Sequence, residues 1–188
     1  MKKILWLIFA IFTLELLGIV GYYWIFQGYA GNTELTVSRY IGLSPVSSAI
    51  FLIGNLVIIV LAMIYMLESG IKSTLWRILI GVFAVCFLML SICPHVPDNA
   101  QIIFIHRFFA GGLFVSLLIL AMVTTSLTDS KLAKAFCFFY IVYGACYFTT
   151  YLSYLPNYSP YSLIIETLYI YGGLTILALA KPKAQLNR

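Results

Sequence analysis

The chain has 188 residues, 63% of them hydrophobic and only 9% charged, with a formal net charge of +5 and a mean hydropathy of +1.03. A soluble domain carries about 25% charged residues, so this composition excludes a water-covered surface and makes lipid the main solvent. The positive balance does not point to nucleic acid, because the basic residues lie at the ends of apolar runs rather than in one groove-sized patch.

The apolar runs predict six spans, at residues 4–26, 45–67, 75–93, 102–126, 135–154 and 161–180. Each is close to the roughly 20 residues that a crossing helix needs, the third only with Leu75 and Trp76 included. Lipid offers no partner to a free peptide group, so the spans are expected as helices; barrel strands would alternate in polarity, and these runs do not. The fold class predicted is therefore all-α, a single polytopic transmembrane bundle over residues 1–188.

In chain order, the first run follows Met1-Lys2-Lys3 and is trailed by Gly28-Tyr29-Ala30, a weak cleavage site of the signal-peptide kind. The run is long for a signal core and carries Glu15 at its centre, so a retained span is expected. Before the second run, Ser44 reads as an N-cap with Pro45 in the first turn.

Orientation follows from charge. Lys2, Lys3, Lys72, Arg77, Lys131, Lys134, Lys181, Lys183 and Arg188 fall on one side, nine of the eleven basic residues. This asymmetry predicts cytoplasmic termini, with loops 27–44, 94–101 and 155–160 facing outward. Trp6, Trp24 and Trp76, with tyrosines such as Tyr22 and Tyr158, are expected at the two interfaces. A compact chain without sorting signals fits a prokaryotic cytoplasmic membrane.

Ionisable groups at membrane depth are costly and usually face partners inside a bundle. Glu15 and Asn55 lie at similar depth in the first two spans. A hydrogen bond between them is expected, with Glu15 protonated by burial; a proton- or cation-coupled site is the functional alternative. Near the outer face, Arg107 and Glu166 lie about 8 Å below their span starts, at 1.5 Å per residue, and are expected to pair. His106 adjoins them, Gly111 and Gly112 leave room one turn deeper, and the loops add His95, Asp98 and Arg39. Two readings stay open: an ion pair locking two helices, or an outward pocket where Arg107 and Arg39 meet an anionic head group.

In the fifth span Tyr140, Tyr143, Tyr147, Tyr151 and Tyr154 recur at three- and four-residue intervals and form one stripe, with Thr149 and Thr150 adding hydroxyls. Packing with interhelical hydrogen bonds is the expectation; a lining for a hydroxylated amphiphile is the alternative.

No cofactor or metal site is indicated. Two histidines, one of them in a loop, make a poor haem pair, and no span holds a lysine for retinal. G-x-S-x-G, G-x-x-x-x-G-K and H-E-x-x-H patterns are absent. Cys86, Cys93, Cys137 and Cys146 form no C-x-x-C pair and read as small apolar fillers.

Two stretches carry a likeness. They are Ser38-Arg39-Tyr40-Ile41-Gly42-Leu43-Ser44 leading to Gly54-Asn55, and Ser91-Ile92-Cys93-Pro94 leading to His106-Arg107-Phe108-Phe109. A span ending in a proline-bearing outer loop, followed by a histidine opening the next span, resembles the six-span domain-of-unknown-function family 998. That family is grouped with Frag, DRAM and Sfk membrane proteins. The resemblance covers roughly residues 1–180 and departs at Cys93-Pro94, where Phe-Pro is commoner. It implies a six-helix bundle with a role in membrane-lipid handling, and matches at His106 and the Pro94–Asp98 loop. It supplies no catalytic mechanism.

Taken together, the residues predict a membrane protein binding a lipid or amphiphile, an anionic lipid included, from its outer face. A small coupled transporter using Glu15 and Asn55, or a lipid-modifying enzyme using His106, Asp98 and Glu166, are the alternatives. Oligomeric state does not follow from the sequence.

Overall fold

The structure, a computed structural model, describes residues 2–28, 35–94, 99–153 and 161–180. Among them are seven helices and no strand: α1 (Lys2–Phe26), α2 (Val37–Gly42), α3 (Pro45–Glu68), α4 (Thr74–Ile92), α5 (Ala100–Leu127), α6 (Lys131–Ser153) and α7 (Ser162–Leu179). All but α2 are long and apolar enough to cross a membrane. The outside of the bundle is as oily as the inside, with Leu14, Leu17, Ile53, Leu132, Phe138 and Phe139 all well exposed. A continuous apolar exterior suits lipid and would aggregate in water. The chain is an integral membrane protein.

Four of the spans, α3 to α6, start where a side chain takes up a free amide of the first turn. Ser44 accepts from Ser47 N–H at 3.1 Å with Pro45 next in line, as its sequence predicts. Ser73 and Asn99 cap α4 and α5 in the same way. α6 begins at Lys131 rather than near 135, because Ser130 Oγ accepts from Ala133 N–H and adds a turn of polar sequence to the helix.

α1 packs between α3 and α7, α4 between α3 and α5, and α7 also against α5 and α6. The segment 27–44, expected as plain loop, instead carries α2, which lies against α1, α3 and α7. Six residues are too few for any apolar period to reveal a helix. Its Val37, Tyr40 and Ile41 are buried, and Tyr40 accepts a 2.8 Å hydrogen bond from Trp24 Nε1.

The aromatic belt needs correction. Trp6 is exposed as expected, but Trp76 is wholly buried beside Tyr65 and its indole N–H has no partner among the described residues. At the first turn of α4 it faces the bundle, where position along the helix alone placed it at an interface. Tyr158 lies outside the described residues. Of the cysteines, Cys86 and Cys137 are buried as fillers, Cys93 is half-buried, and Cys146 is exposed on α6.

Candidate functional site

One group of polar side chains lies at the end of the bundle that carries α2. The Glu166 carboxylate, one turn into α7, accepts from Val37 N–H at 2.6 Å and faces the Ser38 hydroxyl at 3.5 Å and the Ser38 backbone. Thr36 Oγ1 accepts from Arg39 N–H at 3.2 Å. The free amides of α2's first turn are thus taken up by its own N-cap and by a carboxylate from a helix about 130 residues later in the chain.

Arg107 is not in this arrangement. It is exposed on α5 and makes no ion pair among the described residues, so the expected Arg107–Glu166 pair is absent. The two share a depth, but each residue turns the helix by about 100°, and Arg107 points outward where its neighbour His106 points in. His106 is 4% exposed and donates from Nδ1 to Cys93 O at 2.8 Å, since a carbonyl can only accept. That bond ties the start of α5 to the C-terminal end of α4, whose last carbonyls lack partners within the helix.

Between these groups lies a cavity of about 40 Å³ bounded by α2, α3, α4, α5 and α7. At about 10–15 Å³ for each water centre it has room for roughly three or four. Its wall is Ile41, Phe51, Phe87, Leu90 and Leu113 with Ser38, His106, Glu166 and Tyr169. A second space of about 10 Å³ lies across Val37, Ile41 and Phe51, between α1, α2 and α3. Arg39 and Arg107 line neither. His95 and Asp98 lie outside the described residues. Of the two glycines, Gly112 leaves contact room for Cys86 Sγ, while Gly111 faces open space.

The chain matches no protein-family model, and no curated protein or solved structure is significantly similar to it. The site therefore rests on its own chemistry.

Deeper in the bundle, Asn55 is fully buried and donates from Nδ2 to Ser91 Oγ at 2.7 Å; Ser91 in turn donates to Phe87 O. The expected Glu15–Asn55 hydrogen bond is absent: both Glu15 carboxyl oxygens and Asn55 Oδ1 are buried without a partner among the described residues. Glu15 lies instead against Gly54, and Asn55, one residue on, turns to α4.

The tyrosine stripe faces α7. Tyr140 donates to Tyr169 O at 3.0 Å and Tyr143 to Ile165 O at 2.9 Å. Tyr147 packs on Tyr169 and Phe114, with ring centroids at 5.9 and 5.1 Å. The helices approach this closely because a Cβ at Gly172 would meet the Tyr140 ring. The side chains of Thr150 and Tyr151, and all of Tyr154, lie outside the described residues. The Tyr140 and Tyr143 hydroxyls thus bond to the backbone of α7, as interhelical packing requires.

Sequence reasoning missed Tyr169, and it named Ser38 and Ser91 only within the two resembling stretches, without a role at the site. Tyr169 is 1% exposed, donates to Phe114 O at 2.8 Å and touches the cavity. A tyrosine among apolar span residues carries no mark of which neighbour it meets, so no sequence signal distinguishes it.

Proposed function

We propose that this membrane protein binds a single-chain amphiphile at the α2 end, with a hydroxyl or amine head group on Glu166 and the chain against Ile41, Phe51, Phe87 and Leu113. The observation that carries the reading is the convergence of Glu166, His106 and Ser38 on one otherwise apolar cavity. A small number of polar groups on an apolar wall is how ligand sites fix orientation. Glu166 has acceptor capacity beyond its bonds to α2, since an ionised carboxylate offers about four lone-pair sites. A carboxylate disfavours a phosphate, and the two arginines expected to meet one do not line the space.

The placement of basic residues supports cytoplasmic termini and an outward-facing cavity. The membrane-lipid role implied by the resemblance to the six-span family is of the same kind. The cavity at rest, about 40 Å³, admits only a slender group, so binding of a longer chain displaces α2.

Native mass spectrometry with dodecanol, dodecylamine and dodecanoic acid tests the reading. The alcohol and the amine are expected to bind, and Ala110→Phe, which fills the space from α5, is expected to abolish binding. Preference for the acid, or binding unchanged in Ala110→Phe, overturns it.

A further inference from the structure

Glu15 stands apart from that cavity and raises a separate question. It lies in mid-span, about 16–20 Å from either end of α1 at 1.5 Å per residue, and is 7% exposed. Neither carboxyl oxygen has a hydrogen-bond partner among the described residues. Its place is built by α3: a Cβ at Gly54 would coincide with Glu15 Oε1, so only glycine leaves the notch that the carboxyl fills.

Among the described residues no charge is at hand to hold an ionised form. On α3 the titratable groups are Tyr65 and Glu68, three or more turns from Gly54. On α7, Glu166 is bonded to α2, Tyr169 to Phe114 O, and Tyr171 to Thr13. On α4, which touches α1 through Phe87 and Phe12, Cys86 lies against Gly112, and Arg77 is bonded to Ile71 O near the far end. Arg39 and Tyr40 of α2 pack about two turns above, at the level of Tyr23 and Trp24, and Lys3 of α1 lies more than three turns below. Asn55 Oδ1, an acceptor also without a partner, is on the adjoining residue of α3.

We propose that Glu15 is a proton-binding site of the bundle, held as the neutral acid while α1 and α3 are closed and releasing its proton when they part. A carboxylate without a donor or cation in apolar surroundings is far less stable than its neutral acid. Parting the helices admits water or a cation, which solvates the charged form. Proton binding therefore favours the closed contact, and opening favours proton release, because linkage is reciprocal. The ligand is a proton, and a cation able to enter the notch would compete with it.

Infrared spectroscopy of the protein in lipid, wild type against Glu15→Gln, reads the protonation state directly. At neutral pH the wild type is expected to show the carbonyl stretch of a protonated acid that the variant lacks. A difference containing only carboxylate bands overturns the proposal. A pH series of thermal midpoints gives the second readout. An unfolded glutamate ionises near pH 4, so at neutral pH the folded state holds one proton more and its stability falls as pH rises. Relative to Glu15→Gln, the wild-type midpoint is expected to drop by about 3–5 °C per pH unit above that point; a flat difference overturns the proposal. Should Glu15→Gln not fold, Gly54→Ala, which evicts the carboxyl from its notch, is expected to lose the protonated-acid band, and retention of the band there counts against the proposal.

Discussion

The carboxylate of Glu166 accepts from Val37 N–H at 2.6 Å and so docks the first turn of α2 onto α7. A six-residue helix is too short to be stable alone, and this anchor, with buried Val37, Tyr40 and Ile41, holds it over the cavity. Replacing Glu166 by Leu leaves a partly buried amide without its acceptor. The expected loss is about 1–3 kcal/mol, with faster hydrogen exchange confined to residues 37–43. Glu166→Gln keeps an acceptor oxygen and should lose less.

Arg107→Leu gives the contrasting result. The side chain is exposed and unpaired among the described residues, so stability should change by no more than about 0.5 kcal/mol. Chemical denaturation in detergent checks this. A loss as large as that of Glu166→Leu would show that the two residues pair after all.

Asn55 and Ser91 test the asymmetry between a missing partner and a missing pair. Ser91→Ala removes the acceptor of a fully buried amide and should cost about 1–3 kcal/mol. The double change Asn55→Leu with Ser91→Ala removes both ends and should be milder than the single one. Thermal midpoints of the three proteins decide it.

Gly54→Ala places a methyl group on the Glu15 carboxyl. Overpacking of this kind costs about 1–3 kcal/mol. Combining it with Glu15→Ala frees the space, so the double mutant should be more stable than the sum of the single changes predicts, by at least about 0.5 kcal/mol.

Tyr169 joins α5, α6 and α7: it stacks on Tyr140, with centroids at 4.9 Å, and meets the Phe114 ring at a tilt, with centroids at 4.4 Å. Tyr169→Phe deletes one hydrogen bond to a helix carbonyl and should cost only about 0.6 kcal/mol. Tyr169→Ala removes the ring itself and should cost about 3–5 kcal/mol. Equal effects would mean that the hydroxyl, not the ring, carries the contact.

The two expected pairings that failed did so for one reason. Glu15 with Asn55, and Arg107 with Glu166, are matched in depth, and depth is readable from residue counts at about 1.5 Å each. Meeting also requires facing, and the residues that do face are the neighbours, Gly54 beside Asn55 and His106 beside Arg107. Runs apolar on every side give no azimuth, because a helix in lipid shows no polar face by which to orient it.

What the chain alone determined is therefore the set of properties that depend on position along it: six apolar helices, the Ser44-Pro45 start of α3, and the place of each polar group along its helix. Only tertiary structure decided that α2 exists as a helix, that Glu166 caps it, that Trp76 is interior, and that Glu15 occupies a notch made by Gly54. Lipid solvation acts on the length and hydropathy of a segment, which are local. Which face of a span turns inward is settled by packing against helices far away in sequence, and no single segment contains that information.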